Sequence, residues 1–151
     1  MFRHRRGQRH SFGLAGTTID VALKFDPEPA GVFDAIPVLK RELSINVELA
    51  SPADFIPPLA DWRERSRSIG EFGKLAVYHY DFLSQALSKL ERGHAKDLLD
   101  VREMLRRRLV TPADLLSHAQ AIRPQLKRYP AVDEESFIRR VKEFLGESSH
   151  A

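Results

Sequence analysis

The sequence predicts an α+β protein, a small mixed β-sheet with a helical C-terminal half. Three observations predict it. Two stretches, "TTIDVALKF" and "INVEL", are rich in β-branched residues and too short for helices. Beyond Asp81 the apolar residues recur at three- and four-residue spacing, the period of an amphipathic helix. A chain of 151 residues is long enough for one domain with its own core, since a domain of that size buries roughly 70% of its unfolded surface.

Each element follows in order. Residues 1–15 show no periodicity and read as a basic flexible tail or a truncated domain start, with the domain proper at 16–146 and a tail at 147–151. Residues 17–25 alternate, with Ile19, Val21, Leu23 and Phe25 on one side and Thr18, Asp20, Ala22 and Lys24 on the other, as a half-buried strand does. "DPEP" ends it. Val32, Phe33, Ile36, Leu39 and Leu43 then mark a helix, with Pro37 predicting a kink or a late start. Residues 45–49 form the second strand. "SPADFIPPLADWRERSRSIG" reads as a long loop with a short helical turn, capped at Ser51-Pro52 and stopped by Pro57-Pro58. "GKLAVYHY" is a third strand of the same sheet.

Four helices complete the chain. Asp81 caps the first, whose apolar face is Phe82, Leu83, Ala86, Leu87 and Leu90. After Gly93, "HAKDLLDVREMLRRR" continues as the second. Thr111-Pro112 opens the third. Asp133 caps the last, which has acids in its first turn and Gly146 as its stop.

Composition narrows the chemistry. With no cysteine, the chain has no disulfide, no thiolate nucleophile and no cysteine zinc site. Its apolar runs are far shorter than the roughly 20 residues that span a bilayer, and no apolar stretch follows the basic start, so a cytoplasmic setting is expected. Net charge is only +3, yet "MFRHRRGQRH" holds four arginines and no acid, and "REMLRRR" sets Arg102, Arg106, Arg107 and Arg108 against one glutamate. Such patches can follow a phosphate backbone. A solvated helix face and a disordered tail are the plainer reading of them.

Two carboxylates stand on separate strands: Asp20 on the polar side of the first and Glu48 between Val47 and Leu49 on the second. If the strands are neighbours the pair converges, and a hard cation such as Mg²⁺ prefers such oxygen ligands together with nucleotide phosphates. Solvent-facing residues on a half-exposed sheet are the alternative. In the helical half, Lys89 and Arg92 share a face, as do Asp97 and Asp100, with Lys96 beside them. These can neutralise and orient a triphosphate, or be intrahelical ion pairs. His79 and His94 are candidate ligands or bases, although His79 lies on an apolar strand. Trp62 with Arg63 and Arg65 can stack a base or anchor the loop to the core.

Taken together, "GTTIDVALKFDPEP", "LSINVELASPADFIPPL" and "YHYDFLSQALSKLERGHAKDLLDVREML" resemble the minimal nucleotidyltransferase-like proteins, relatives of abortive-infection and toxin–antitoxin nucleotidyltransferases that include a branch of unassigned function. The resemblance runs from about Gly13 to the C-terminus. It implies a sheet of nucleotidyltransferase type, with acids holding two Mg²⁺ ions that direct a hydroxyl onto the α-phosphate of a nucleoside triphosphate. Asp20 matches the first acid of that family's Asp-x-Asp and Glu48 its third carboxylate, as catalytic and metal residues. Lys89, Arg92, Lys96, Asp97 and Asp100 match its nucleotide-supporting helical motif.

Two departures stand out. Where the second acid belongs there is Ala22, and a methyl group ligates no metal. The phosphate-cradling Gly-Gly or Gly-Ser turn is also missing, as "RHRRGQRH" offers only Gly7-Gln8 and no preceding apolar strand. The resemblance therefore implies transfer that is impaired or lost, with nucleotide and Mg²⁺ binding retained, or a start that is truncated. The alternative is a non-catalytic toxin–antitoxin component or basic RNA-binding module, with RNA or a protein as partner. A fully active enzyme is disfavoured by Ala22.

Overall fold

The computed structural model of the protein describes residues 20–148. The basic N-terminal segment and the first part of the first expected strand lie outside them. In order the elements are β1 (Asp20–Leu23), α1 (Val32–Leu43), β2 (Asn46–Leu49), a 3₁₀ turn (Pro52–Asp54), α2 (Trp62–Arg65), β3 (Arg67–Phe72), β4 (Leu75–His79), α3 (Phe82–Arg92), α4 (Ala95–Arg106), α5 (Pro112–Ile122), a second 3₁₀ turn (Arg123–Arg128) and α6 (Glu134–Ser148). The protein is mixed α and β and 57% helical.

The first unit is β-α-β. A crossover helix returns the chain to the same edge, so β1 and β2 pair in parallel, with Asp20 opposite Asn46 and Ala22 opposite Glu48. Side chains alternate across the ribbon. Val21, Leu23 and Val47 therefore share one face, while Asp20, Ala22, Asn46 and Glu48 share the other. Helix α1 starts at Val32 and runs through Pro37 to Leu43, so the proline neither delays nor ends it. It removes one backbone donor from an otherwise exposed helix.

The expected single sheet is instead two two-stranded pieces. Residues 75–79 do not join β1 and β2. They fold back on β3 as an antiparallel hairpin, with Phe72 opposite Leu75 and a bulge between Ser68 and Gly70. The two-residue turn begins at Gly73, whose φ of 64° is the positive value that hairpin turns require. Strand β3 was expected as loop because Ser68, Gly70 and the bulge erase its period-two pattern.

The core belongs to the helical half. All five residues expected on the apolar face of α3 are buried, Ala86 and Leu87 completely. They pack with Val101 and Met104 of α4, Leu115 and Ala119 of α5, and Phe137 and Val141 of α6, and the loop residues Ile56 and Leu59 close one end. The caps form as the sequence predicts: Thr111 Oγ1 accepts from the Asp114 amide at 3.1 Å and Asp133 from the Ser136 amide at 2.8 Å. Helix α6 passes Gly146 and ends at Ser148, because the buried Val141 and Phe144 hold the preceding turns and offset a glycine's weak helix propensity.

Helix α3 stops at Gly93, whose φ of 68° lets its amide close onto the Lys89 carbonyl at 2.9 Å. A Cβ there would meet Arg140 Nη1 at 3.5 Å, an ordinary contact, so only the backbone resists a side chain. Gly93→Ala should therefore destabilise the protein by about 1 kcal/mol in chemical denaturation, without a change in the slope.

Candidate functional site

The polar face of the β1–β2 ribbon gathers the expected carboxylates. Parallel register sets Ala22, not an acid, directly beside Glu48, and Asn46 beside Asp20. The Asn46 amide spans the gap, with Nδ2 donating to Asp20 Oδ1 at 3.3 Å and to Glu48 Oε1 at 3.4 Å. From the helical half, Lys96 Nζ reaches to 3.7 Å from Asp20 Oδ2. At the far end, Lys24 continues the same alternation, and its ammonium lies 5.8 Å from the Trp62 ring centre. The face thus carries two carboxylates linked by an amide, with Lys96 beside Asp20. Asp20, Glu48 and Lys96 are brought together.

Lys89, Arg92, Asp97 and Asp100 do not join them, because they are committed to one another. Lys89 Nζ donates to Asp100 at 2.6 Å and to Asp97 at 3.4 Å, while Arg92 forks onto Asp97 at 2.6 and 3.1 Å. Both aspartates are buried, and the Arg92 guanidinium lies over the Phe55 ring. These pairs cross from α3 to α4, which corrects the reading of them as intrahelical. The reason is local: Lys89 and Arg92 sit at the negative C-terminal end of α3 and Asp97 at the positive N-terminal end of α4. Gly93 turns the chain so that the two ends meet. Burial pushes the Asp97 carboxyl up, but the hydrogen bonds from Arg92 and its charge outweigh this and hold it below its usual value.

A second tie, centred on Asp81, exceeds the capping role read from the sequence. Its carboxylate accepts from the amides of Leu83 and Ser84, from the Ser84 hydroxyl at 2.7 Å, and from the Arg65 fork at 3.0 and 2.9 Å. Burial raises the carboxyl, yet the bonds from Arg65 and Ser84 lower it further, for a net fall. Arg65 is thereby unavailable to a base. Trp62 stacks flat on Tyr80 at 4.4 Å and packs against the core, the anchoring role, and Arg63 covers it at 4.7 Å. His79 tilts against Phe82, and His94 precedes α4 without a side-chain capping bond. In the arginine cluster, Arg106 and Arg107 both clamp Glu103, and Arg102 lies over Phe144.

The ribbon face can be tested against Mg²⁺ by its donors. A two-metal set needs a carboxylate that bridges, and the position facing Glu48 is a methyl group. Among the described residues no group of three or more His, Asp or Glu side chains is placed to hold a metal ion. The residues present therefore do not fit a two-ion transfer centre. They fit at most one ion held by one or two carboxylates, with phosphates completing its shell.

Asn46 is the residue that sequence reasoning missed. It stands two positions before Glu48, hence on the same face, and parallel pairing was the signal that would have placed it beside Asp20. No helix of the described residues is long and apolar enough to cross a membrane. Comparison with family models, with curated proteins and with solved structures finds no match to this chain.

Proposed function

We infer that the chain is a cytoplasmic nucleotidyltransferase-like domain without transfer chemistry. It would bind a nucleoside triphosphate weakly, as its Mg²⁺ complex, on the polar face of the β1–β2 ribbon. The observation that carries the reading is the sharing of one face by Asp20 and Glu48, joined through Asn46, with Lys96 at 3.7 Å from Asp20. Lys96 supplies the point charge that a phosphate needs. The carboxylates would hold the one ion that the phosphates bring. Lys89, Arg92, Asp97 and Asp100 support this site indirectly, by fixing the start of α4 from which Lys96 extends. With Ala22 in place of a bridging acid, no hydroxyl is activated and no bond to the α-phosphate is made.

The alternative, a non-catalytic toxin–antitoxin or RNA-binding module, is favoured by a different observation. Phe33 and Leu43 on α1, and Phe72 and Leu75 on the β3–β4 hairpin, are each more than half exposed, large apolar side chains of the kind that partners cover. Calorimetric titration separates the two. The first reading expects saturable heat with Mg²⁺ and a nucleoside triphosphate at millimolar concentration, about 4 kcal/mol of binding free energy. That heat should vanish in Asp20→Asn combined with Glu48→Gln, while stability stays within about 0.5 kcal/mol because both side chains are exposed. No heat in the native protein removes the nucleotide reading and leaves the interaction module.

A further inference from the structure

A cavity of about 260 Å³ lies apart from the ribbon, between the start of α3 and the start of α5. Its polar lining is Arg65, Arg67, Asp81, Asp114 and His118. Phe82, Leu83 and Val110, which are buried, give it an apolar floor. The cavity is smaller than the roughly 300–1,000 Å³ of drug-sized sites, so it suits a small molecule.

Most of its polar groups are already satisfied. Arg65 and Asp81 neutralise each other in a two-point fork. Asp114 accepts from the Thr111 hydroxyl at 2.7 Å and sits in the first turn of α5, where the helix end favours a negative charge. The His118 ring nitrogen Nδ1 lies 2.9 Å from the Asp114 carbonyl and is engaged there. Arg67 is the exception. Its guanidinium lies over the Phe82 ring at 5.4 Å, and among the described residues no carboxylate pairs with it. Among the described residues no side-chain hydrogen bond engages its N–H groups either, and these form the edge that forks onto a carboxylate.

We propose that this cavity binds a small monocarboxylic acid with an apolar body, its carboxylate on the Arg67 fork and its body against Phe82, Leu83 and Val110. One uncommitted cation over an apolar floor matches one negative charge on an apolar ligand. A phosphate dianion would add a second charge beside Asp81 and Asp114 with no group to meet it.

Benzoate is the probe, titrated into the full-length ¹⁵N-labelled protein with amide shifts as the readout. The expected result is saturable shifts at Arg67, Phe82, Leu83 and His118. Benzamide, which keeps the shape and removes the charge, should bind about tenfold more weakly, as should benzoate to Arg67→Met, the loss of one charge-assisted contact. Arg67 is exposed, so that variant keeps its fold, and the benzamide comparison needs no variant at all. Equal binding of benzoate and benzamide, shifts centred elsewhere, tighter binding of inorganic phosphate, or no saturation would each overturn the proposal. Because the cavity excludes Asp20 and Glu48, its failure and that of the nucleotide reading are independent.

Discussion

Asp81→Ala is expected to be the most damaging single change, lowering stability by about 3 kcal/mol and the melting temperature by about 10 °C. The Asp81 side chain is 3% exposed and serves three partners at once. It caps α3, worth about 1 kcal/mol, and bonds the Ser84 hydroxyl. It also pairs with Arg65, which would be left as an uncompensated cation beside the core. Stranding a buried charge costs about 3–5 kcal/mol. Arg65 is 32% exposed and can be partly rehydrated, so the lower end applies. Urea denaturation of the variant beside Asp81→Asn, which retains a capping oxygen, separates the cap from the charge. A loss below 1 kcal/mol for Asp81→Ala would refute the assigned role.

Asp97→Ala comes next, at about 2–3 kcal/mol. It removes both bonds of Arg92 and one of the two bonds of Lys89, and Asp100→Ala should cost less because Asp97 still holds Lys89. If these residues instead bound nucleotide, Asp97→Ala would leave stability unchanged and abolish the calorimetric heat. The two outcomes are mutually exclusive in a melting experiment without ligand. Acid should mimic both variants. Asp81 and Asp97 have folded-state pKa values lowered from the usual carboxylate range. Between those values and about 4 the unfolded chain binds more protons than the folded one. Their contribution is therefore complete above pH 5 and lost as the pH falls through about 4 and below. Native stability should decline over that window, and the decline should be shallower in Asp97→Ala.

Local chemistry explains which elements were legible. The helices beyond Asp81 were readable because each carries an apolar stripe that one packed core can bury, and α3, α5 and α6 also carry side-chain caps. Strand β3 was hidden by its bulge and by glycine, which spoil alternation without preventing hydrogen bonds. The single sheet was expected because three β-forming segments are normally shared by one layer. The positive φ at Gly73 lets β4 pair with its immediate predecessor instead, a contact between near neighbours that requires little loop closure. The candidate site was partly legible: Asp20 and Glu48 were placed on polar strand faces, but the link through Asn46 depends on register.

By itself the sequence determined the helical caps, the buried face of α3, the absence of cysteine chemistry and the missing acid at Ala22. Each is fixed by a residue's own side chain or by its neighbours within a turn. Only the tertiary structure decided that Lys89 and Arg92 are spent on Asp97 and Asp100 while Lys96 reaches Asp20. A charge close in sequence to several opposite charges has several possible partners of nearly equal energy. The choice among them follows from how the chain turns at Gly93 and which side chains the core keeps from water.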